Sequence, residues 1–128
     1  MGPIVKIMPW NFPFWLPLKC GIPTLLAGNT IILKGAPNTP QCSLALEDIF
    51  RESGFDNFEF QNIFMGNNLT KRLISNKKIR GVSFTGSSKA AKVIMEYCAG
   101  NYKKIVTELG GSDPFIVLED ADIEYAVQ

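Results

Sequence analysis

Four polar residues of this chain occupy positions from which they could take part in chemistry. Asn11 lies in the stretch MPWNFPFW, among two tryptophans, two phenylalanines and two prolines. Its amide either bonds the backbone of a turn or serves as a hydrogen-bond donor to a bound molecule. Lys34, Ser87 and Glu108 lie at or just beyond the ends of predicted strands. An amide, an ammonium, a hydroxyl and a carboxylate are therefore the candidate functional groups.

The histidine and cysteine content narrows the possible chemistry. The chain has no histidine, which excludes a Ser-His or Cys-His pair within these residues. Cys20, Cys42 and Cys98 are an odd number of thiols at wide spacings without a CxxC motif. This pattern argues against both a disulfide framework and a zinc site, so we expect reduced thiols and no metal.

Composition indicates one globular unit. Of the 128 residues, 46% are hydrophobic and 20% are charged, which is enough apolar material for about one domain core. The net charge is +1 and the basic residues are scattered, so neither nucleic acid nor an anionic membrane is an expected partner. No apolar run approaches the roughly 20 residues of a membrane span, and the first residues lack a signal-peptide pattern. A cytoplasmic location is expected.

Strand-like runs alternate with helical periodicities along the chain. Strands are predicted over residues 4–8, 30–33, 58–64, 79–84, 104–109 and 115–118. Helices are predicted over 16–27, from Pro40 to a stop at Gly54, over 68–76, from Ala90 to a stop at Gly100, and from Asp122 onward. The first helix contains Gly21 and Pro23, either of which could break it. Thr39 is predicted to cap the second helix, with Pro40 at its first position.

The alternation of strands and helices predicts an α/β fold with a parallel sheet and right-handed crossovers. Ligands of such sheets bind at the carboxyl ends of the strands. The distinctive residues lie at predicted strand ends, namely Trp10, Asn11, Lys34, Gly86, Ser87 and Glu108. We therefore expect them to meet at one edge of the sheet.

Four motifs resemble those of one enzyme family. MPWNFPFW, AGNTIILKGAP, FTGS and ELGG occur in this order, and together they resemble the NAD(P)-dependent aldehyde dehydrogenase superfamily over essentially the whole chain. ELGGSDPFIVLEDADIE, with LKGAPNTP, is most similar to the succinate-semialdehyde dehydrogenase branch. The resemblance implies a Rossmann-like sheet with flanking helices. It also implies that residues 1–128 are an incomplete cofactor-binding domain, without the catalytic, cysteine-bearing domain.

The resemblance assigns catalytic roles to two residues. In this family a cysteine forms a thiohemiacetal with the aldehyde, hydride passes to the nicotinamide, and the thioester is hydrolysed. Asn11 matches the asparagine that donates to the developing oxyanion. Glu108 matches the general base that accepts a proton from the hydrolytic water.

Other positions match the cofactor site of the family. Lys34 corresponds to the lysine that bonds the adenosine ribose, and Trp10 lies along the cofactor groove beside Asn11. Gly86 and Ser87 would place donors near the pyrophosphate at a helix start. Leu109 matches a further cofactor-contacting position, and Asn11 and Pro37 are also expected at the cofactor site.

Two residues depart from the common family pattern. At Pro37 the family often has a glutamate that binds the ribose hydroxyls. Without that carboxylate a 2′-phosphate is not repelled, so NAD and NADP both remain possible. Ser112 replaces a more frequent lysine after ELGG.

Simpler structural explanations compete with these roles. Lys34 could be a solvated strand end, Ser87 an ordinary helix cap, and Glu108 a surface carboxylate. Aromatic residues of the first motif are expected to pack rather than to form a substrate cage, with Trp10 as the exception. Those expected to pack are Phe12, Phe14 and Trp15.

The family's catalytic cysteine lies beyond the ELGG glutamate, and none of the three cysteines here matches it. The favoured function is therefore a fragment of an aldehyde-oxidising enzyme that is inactive alone. The alternative is a non-catalytic module for nucleotide binding or oligomerisation. Both predict uncovered apolar surface, and hence a second copy or a complementary segment as partner.

Overall fold

The computed structural model describes residues 2–128, which form alternating strands and helices. The strands are β1 (Pro3–Ile7), β2 (Thr30–Lys34), β3 (Phe60–Asn62), β4 (Gly81–Gly86) and β5 (Lys104–Leu109). The helices are α1 (Trp15–Leu26), α2 (Pro40–Glu52), α3 (Asn67–Ser75), α4 (Ser88–Gly100) and α5 (Ile123–Ala126). The predicted alternation is confirmed from β1 to β5.

The five strands form one parallel sheet in the order β3-β2-β1-β4-β5. Central β1 pairs with β2 on one side and with β4 on the other, so that Val5 lies between Ile32 and Val82. The chain therefore builds outward from β1 in one direction and then returns to build in the other. This reversal creates a crevice between the carboxyl ends of β1 and β4, where sheets of this kind bind ligands. The predicted α/β class with a parallel sheet is confirmed.

Alternating side chains divide the hydrophobic core between the two faces of the sheet. On one face, buried strand residues pack against α3 and α4, namely Val5, Ile7, Val82 and Phe84. On the other, Met8, Ile31 and Leu33 join buried residues of α2 and half-buried residues of α1. Since neighbouring residues of a strand point to opposite faces, the central strands carry apolar side chains on both sides, with the buried Lys6 and Ser83 as polar exceptions. We call these the α3/α4 face and the α1/α2 face.

Helix α1 runs unbroken through Pro23, so the break considered from the sequence is absent. The hydroxyl of Thr24 donates to the carbonyl of Cys20, one turn earlier in the helix, at 2.6 Å. Gly28 ends the turn after the helix with a φ of 75°, a conformation that favours glycine. Neither α1 nor any other helix within residues 2–128 is long and apolar enough to cross a membrane.

Helix α2 begins at Pro40 as predicted, but the predicted cap is wrong in one respect. The side chain of Thr39 forms no capping hydrogen bond, and its φ and ψ of −128° and 49° lie outside the extended region of most N-caps. Its backbone N–H instead donates to the carbonyl of Ala36 at 3.2 Å and closes a turn. The connection before this turn packs closely against α2, because a Cβ added at Gly35 would lie 2.0 Å from Ser43 Oγ.

The predicted strand over residues 115–118 is wrong. The sheet ends at β5, and the backbone from 110 to 118 pairs with no strand. A strand requires a hydrogen-bonded neighbour, and the side chains of this segment are exposed. The helix predicted at Asp122 is present as the short α5, and the Asp122 carboxylate accepts from the N–H of Tyr125 at 3.2 Å.

Candidate nucleotide-binding site

A groove of about 630 Å³ lies on the α3/α4 face, at the crevice between β1 and β4. This volume falls within the range of about 300–1,000 Å³ that small-molecule sites occupy. Strand residues at its floor are Ile7, Lys34 and Phe84. Helix α3 contributes Asn67, Asn68 and Lys71, while Ser87 and the first turns of α4 form the opposite wall. The groove therefore joins the end of β2 to the start of α4.

The groove is positively charged. Three ammonium groups line it, those of Lys34, Lys71 and Lys89, and no aspartate or glutamate is among the described lining residues. A cleft with one sign of charge concentrates ligands of the opposite sign. Its chemistry suits a phosphate-bearing molecule.

Lys34 is half-buried at the carboxyl end of β2. Its carbonyl accepts a hydrogen bond from the N–H of Met8 at 3.1 Å, which holds the ends of β1 and β2 together. Burial lowers the pKa of Lys34 below its ordinary value, because desolvation disfavours the charged form. An anionic or polar ligand beside the ammonium would offset this desolvation.

Ser87 caps α4, and its hydroxyl oxygen accepts from the N–H of Ala90 at 3.3 Å. The hydroxyl hydrogen is still free to donate to a ligand, so capping and binding are compatible. The positive end of the helix dipole lies at the same point. Gly86 is required there, because an added Cβ would lie 2.7 Å from Cζ of the Phe84 ring.

The wall formed by α4 is apolar. Ala90, Val93 and Ile94 line it, followed by Tyr97. The ammonium of Lys71 lies 5.3 Å from the centre of the Tyr97 ring, a cation–π contact that links α3 to α4. An apolar wall beside a charged floor fits a ligand with a flat ring and an anionic chain.

The sequence predictions missed Lys71, Lys89 and Val93 as groove residues. The helical apolar repeat predicts that Val93 is buried, yet in the structure it is 39% exposed and lines the groove. No signal pointed to Lys71 or Lys89, because scattered lysines are usually solvated. Only the packing of α3 against α4 brings them to the groove.

Trp10 and Asn11 lie in the connection between β1 and α1 and are exposed. They are not among the described residues that line the groove. The expectation that Phe12, Phe14 and Trp15 pack is wrong within residues 2–128, where they are 56%, 43% and 62% exposed. Phe12 and Phe14 lie in the turn before α1 and Trp15 is its first residue, and no described element covers their side chains.

Glu108 lies on β5 and pairs with Thr85 of β4. Val106, two residues earlier, lines a cavity on the α1/α2 face, so alternation places the Glu108 side chain on that face. Lys34 points to the α3/α4 face. The predicted residues thus share one edge of the sheet, but they do not all face one groove.

Leu109 and Pro37 lie near the groove without being among its described lining residues. Leu109 ends β5 beside Gly86. Pro37 is exposed in the connection between β2 and α2, three residues after Lys34. Lys34 and Ser87, with Gly86 beside the latter, are therefore the predicted cofactor residues that the fold brings together.

Comparison with known proteins identifies the family. A model of the aldehyde dehydrogenase family matches residues 1–128. The chain belongs to the aldehyde dehydrogenase family. This aldehyde dehydrogenase chain is 45% identical over its full length to a protein of Synechocystis sp. named probable succinate-semialdehyde dehydrogenase [NADP(+)]. It is 41% identical, again over its full length, to an Escherichia coli succinate semialdehyde dehydrogenase [NAD(P)+].

Solved structures agree with this membership. A succinic semialdehyde dehydrogenase from Streptococcus pyogenes, in complex with NADP+, matches 97% of the chain with a TM-score of 0.90 and 34% identity. A succinate-semialdehyde dehydrogenase from Burkholderia pseudomallei matches 98% with a TM-score of 0.89 and 35% identity. The chain spans 28% of the length of the two curated relatives and 27% and 26% of these two structures. It corresponds to only part of each of these aldehyde dehydrogenases.

The cysteines of this aldehyde dehydrogenase chain lie outside the groove. Cys98 lies on the buried side of α4, and burial raises its pKa, an effect that Lys103 partly opposes. Cys42 and Cys20 are half-buried on α2 and α1.

Proposed function

We propose that residues 1–128 form part of the dinucleotide-binding domain of an NAD(P)-dependent aldehyde dehydrogenase. The observation that carries this proposal is that Lys34 and Ser87, which come from different strand-helix units, line one cationic groove at the switch point of the sheet. Parallel sheets bind nucleotides at this position. The family membership of the chain supports the same conclusion.

The parts of the groove match the parts of a dinucleotide. The apolar wall at Ala90 and Val93 suits the adenine ring, and Lys34 is positioned to bond the ribose hydroxyls. Ser87 and the start of α4 suit the pyrophosphate, because unpaired backbone N–H groups and the helix dipole both favour an anion. The bound cofactor would supply a hydride acceptor.

We infer that NADP binds more tightly than NAD. The groove carries three ammonium groups, and its described lining includes no carboxylate. At the position of Pro37 a glutamate is frequent in the family, and such a carboxylate would repel a 2′-phosphate. The names of the Synechocystis and Escherichia coli relatives include NADP(+) and NAD(P)+.

Asn11 and Glu108 are proposed to serve the reaction rather than cofactor binding. The exposed Asn11 amide, at the carboxyl edge, would donate to the oxyanion that forms when a thiolate attacks the aldehyde carbonyl. The Glu108 carboxylate would accept a proton from the water that hydrolyses the thioester. Their placement away from the α3/α4 groove is consistent with a division between cofactor binding and chemistry.

The substrate of the whole protein is proposed to be an aldehyde, and succinate semialdehyde is the best-supported candidate. Its support is the resemblance of ELGGSDPFIVLEDADIE and the names of the relatives. A cytoplasmic location is proposed on the composition, whose three cysteines have no disulfide pattern.

The isolated chain is proposed to bind cofactor without turnover, because none of Cys20, Cys42 and Cys98 matches the family's nucleophile. Purified chain should therefore bind NADP+ yet form no NADPH from succinate semialdehyde. Aldehyde-dependent formation of NADPH, followed by its absorbance, would contradict the proposed inactivity.

A non-catalytic binding or oligomerisation module is the second candidate. Exposed apolar residues favour it, notably Phe115 and Ile116 at 79% and 77% exposure. Titration with NADP+ separates the candidates, because a binding module should be saturated at cellular cofactor concentrations. A fragment that lacks supporting segments should bind more weakly.

A further inference from the structure

A second cavity, of about 420 Å³, lies on the α1/α2 face, between α1 and the strands β1, β4 and β5. Its polar lining includes Lys6, Cys20 and Ser83, with Lys104 at the start of β5. Its apolar lining includes Ile4 and Val106. The sheet separates this cavity from the nucleotide groove, which lies on the α3/α4 face.

Lys6 is unusual because it is a lysine at the centre of the central strand. It is 1% exposed, although lysine is almost never fully buried without a partner. The one ion pair within residues 2–128 joins Arg51 to Asp48, so Lys6 has no carboxylate partner there. A buried ammonium without a counter-charge is costly.

Helix α1 leaves room for the Lys6 side chain. A Cβ added at the buried Gly21 would lie 4.0 Å from Lys6 Cε, so the lysine stem passes beside this glycine. Burial lowers the pKa of Lys6, an effect that the neighbouring Cys20 partly opposes. Lys6 therefore lines the cavity with a desolvated ammonium group, and a bound anion would offset this desolvation.

The other groups of the cavity also suit an anion. Sheet register places the largely buried Ser83 directly beside Lys6, and its hydroxyl can donate to an oxygen. Lys104 adds a second, exposed ammonium on the same cavity. No aspartate or glutamate is among its described lining residues, while Ile4 and Val106 supply apolar contacts.

We propose that this cavity binds a small carboxylate, whose oxygens contact the ammonium of Lys6 and the hydroxyl of Ser83. A short aliphatic chain would lie against Ile4 and Val106. Lys104 would attract the ligand and bind a second carboxylate where one is present. This site is independent of the proposed nucleotide groove.

The test is a titration of the ¹⁵N-labelled 128-residue chain with succinate at constant ionic strength, followed by amide chemical shifts. Saturable shifts are expected at Lys6, Ser83 and Val106. Lys6→Met should weaken binding at least about tenfold, because a charge-assisted hydrogen bond is lost. Lys92→Met, which removes an exposed ammonium on α4, should leave succinate affinity unchanged. Neutral succinamide should cause no saturable shift.

Equal succinate affinity in the parent chain and in Lys6→Met would overturn the proposal. Shifts confined to exposed lysines would also overturn it. Unchanged NADP+ affinity in Lys6→Met shows that this variant is folded, and it separates failure of the carboxylate site from failure of the nucleotide groove. Ser83→Ala should weaken succinate binding less than Lys6→Met, since only a neutral donor is removed.

Discussion

Glu108 pairs with Thr85 across neighbouring strands, and this pairing directs its carboxylate to the opposite face of the sheet from the ammonium of Lys34. Both residues lie near the carboxyl edge of the sheet. The fold therefore presents the proposed cofactor-binding group and the proposed reactive group on two sides of one edge. A dinucleotide that extends from the groove to this edge could bring its reacting end to the second group.

Replacement of Lys34 by methionine should weaken NADP+ binding by about tenfold or more. A charge-assisted hydrogen bond contributes roughly 1.5–3 kcal/mol, and about 1.4 kcal/mol corresponds to tenfold in affinity. Calorimetric titration measures the change. Lys92→Met provides the matched control, since Lys92 is exposed and is not among the described residues that line the groove. Equal losses in both variants would point to general electrostatics rather than to a Lys34 contact.

The affinity for NADP+ should fall at alkaline pH as Lys34 loses its proton. Because burial lowers the pKa of Lys34 below 10.5, this loss should begin at a lower pH than for an exposed lysine. Arginine keeps its charge throughout this range, so Lys34→Arg should remove this component of the pH dependence. An identical alkaline decrease in the parent chain and in Lys34→Arg would show that another group titrates.

Introduction of a carboxylate at Pro37 should shift cofactor preference toward NAD+. Two unit charges about 4 Å apart in water interact by about 1 kcal/mol, so Pro37→Glu should weaken NADP+ relative to NAD+ by roughly fivefold. Pro37→Gln has nearly the same shape without the charge, and its preference should stay close to that of the parent chain. If both variants change the ratio of NAD+ affinity to NADP+ affinity by the same factor, loop conformation rather than charge is responsible.

Gly35→Ala should destabilise the fold by about 1–3 kcal/mol through overpacking. The added methyl group would lie 2.0 Å from Ser43 Oγ, and Ser43 is only 3% exposed. Urea denaturation gives the free energy of unfolding. In the double variant with Ser43→Ala, much of the loss should be recovered, because the clashing oxygen is gone.

The control for this substitution is Gly100→Ala at the end of α4. No atom lies within 4 Å of the added Cβ, and Gly100 has no positive φ. Its free energy of unfolding should be unchanged or up to about 1 kcal/mol higher. A loss equal to that of Gly35→Ala would argue against the contact with Ser43.

Lys6→Met should raise the free energy of unfolding near neutral pH by about 1 kcal/mol or more, because an unpaired buried ammonium is removed. The lowered pKa of Lys6 means that the unfolded chain binds this proton more tightly than the folded chain. The parent chain should therefore gain stability as pH rises from that lowered pKa toward 10.5, and Lys6→Met should lack this gain. Denaturation at several pH values, without added carboxylate, measures both effects.

Much of the fold follows from the sequence because the central strands and their helices have strong local patterns. The apolar run at residues 30–33 and the stretch at 104–109 became β2 and β5 with nearly the predicted bounds. The short β3 was predicted over 58–64 but spans Phe60–Asn62, where pairing with β2 sets its length. The apolar run at 115–118 has strand-like composition, yet no neighbouring strand pairs with it.

The site was predictable only in part. Lys34 and Ser87 were identified because they lie at or just beyond the ends of predicted strands, and the fold brings these two residues to one groove. The face occupied by Glu108 depends on its register with Thr85, which no local pattern reveals. Lys71 likewise reaches the groove only because α3 packs against α4.

The most direct measurement of the central claim is an NMR titration of the ¹⁵N-labelled chain with NADP+. Saturable amide shifts should concentrate on Lys34, on Ser87 and on the first turns of α4 through Val93, all on the groove. Val106, on the other face of the sheet, should shift little. Saturable binding whose shifts centre on Val106 rather than on Lys34 and Ser87, or no binding at millimolar NADP+, would contradict the assignment of this groove as the nucleotide site.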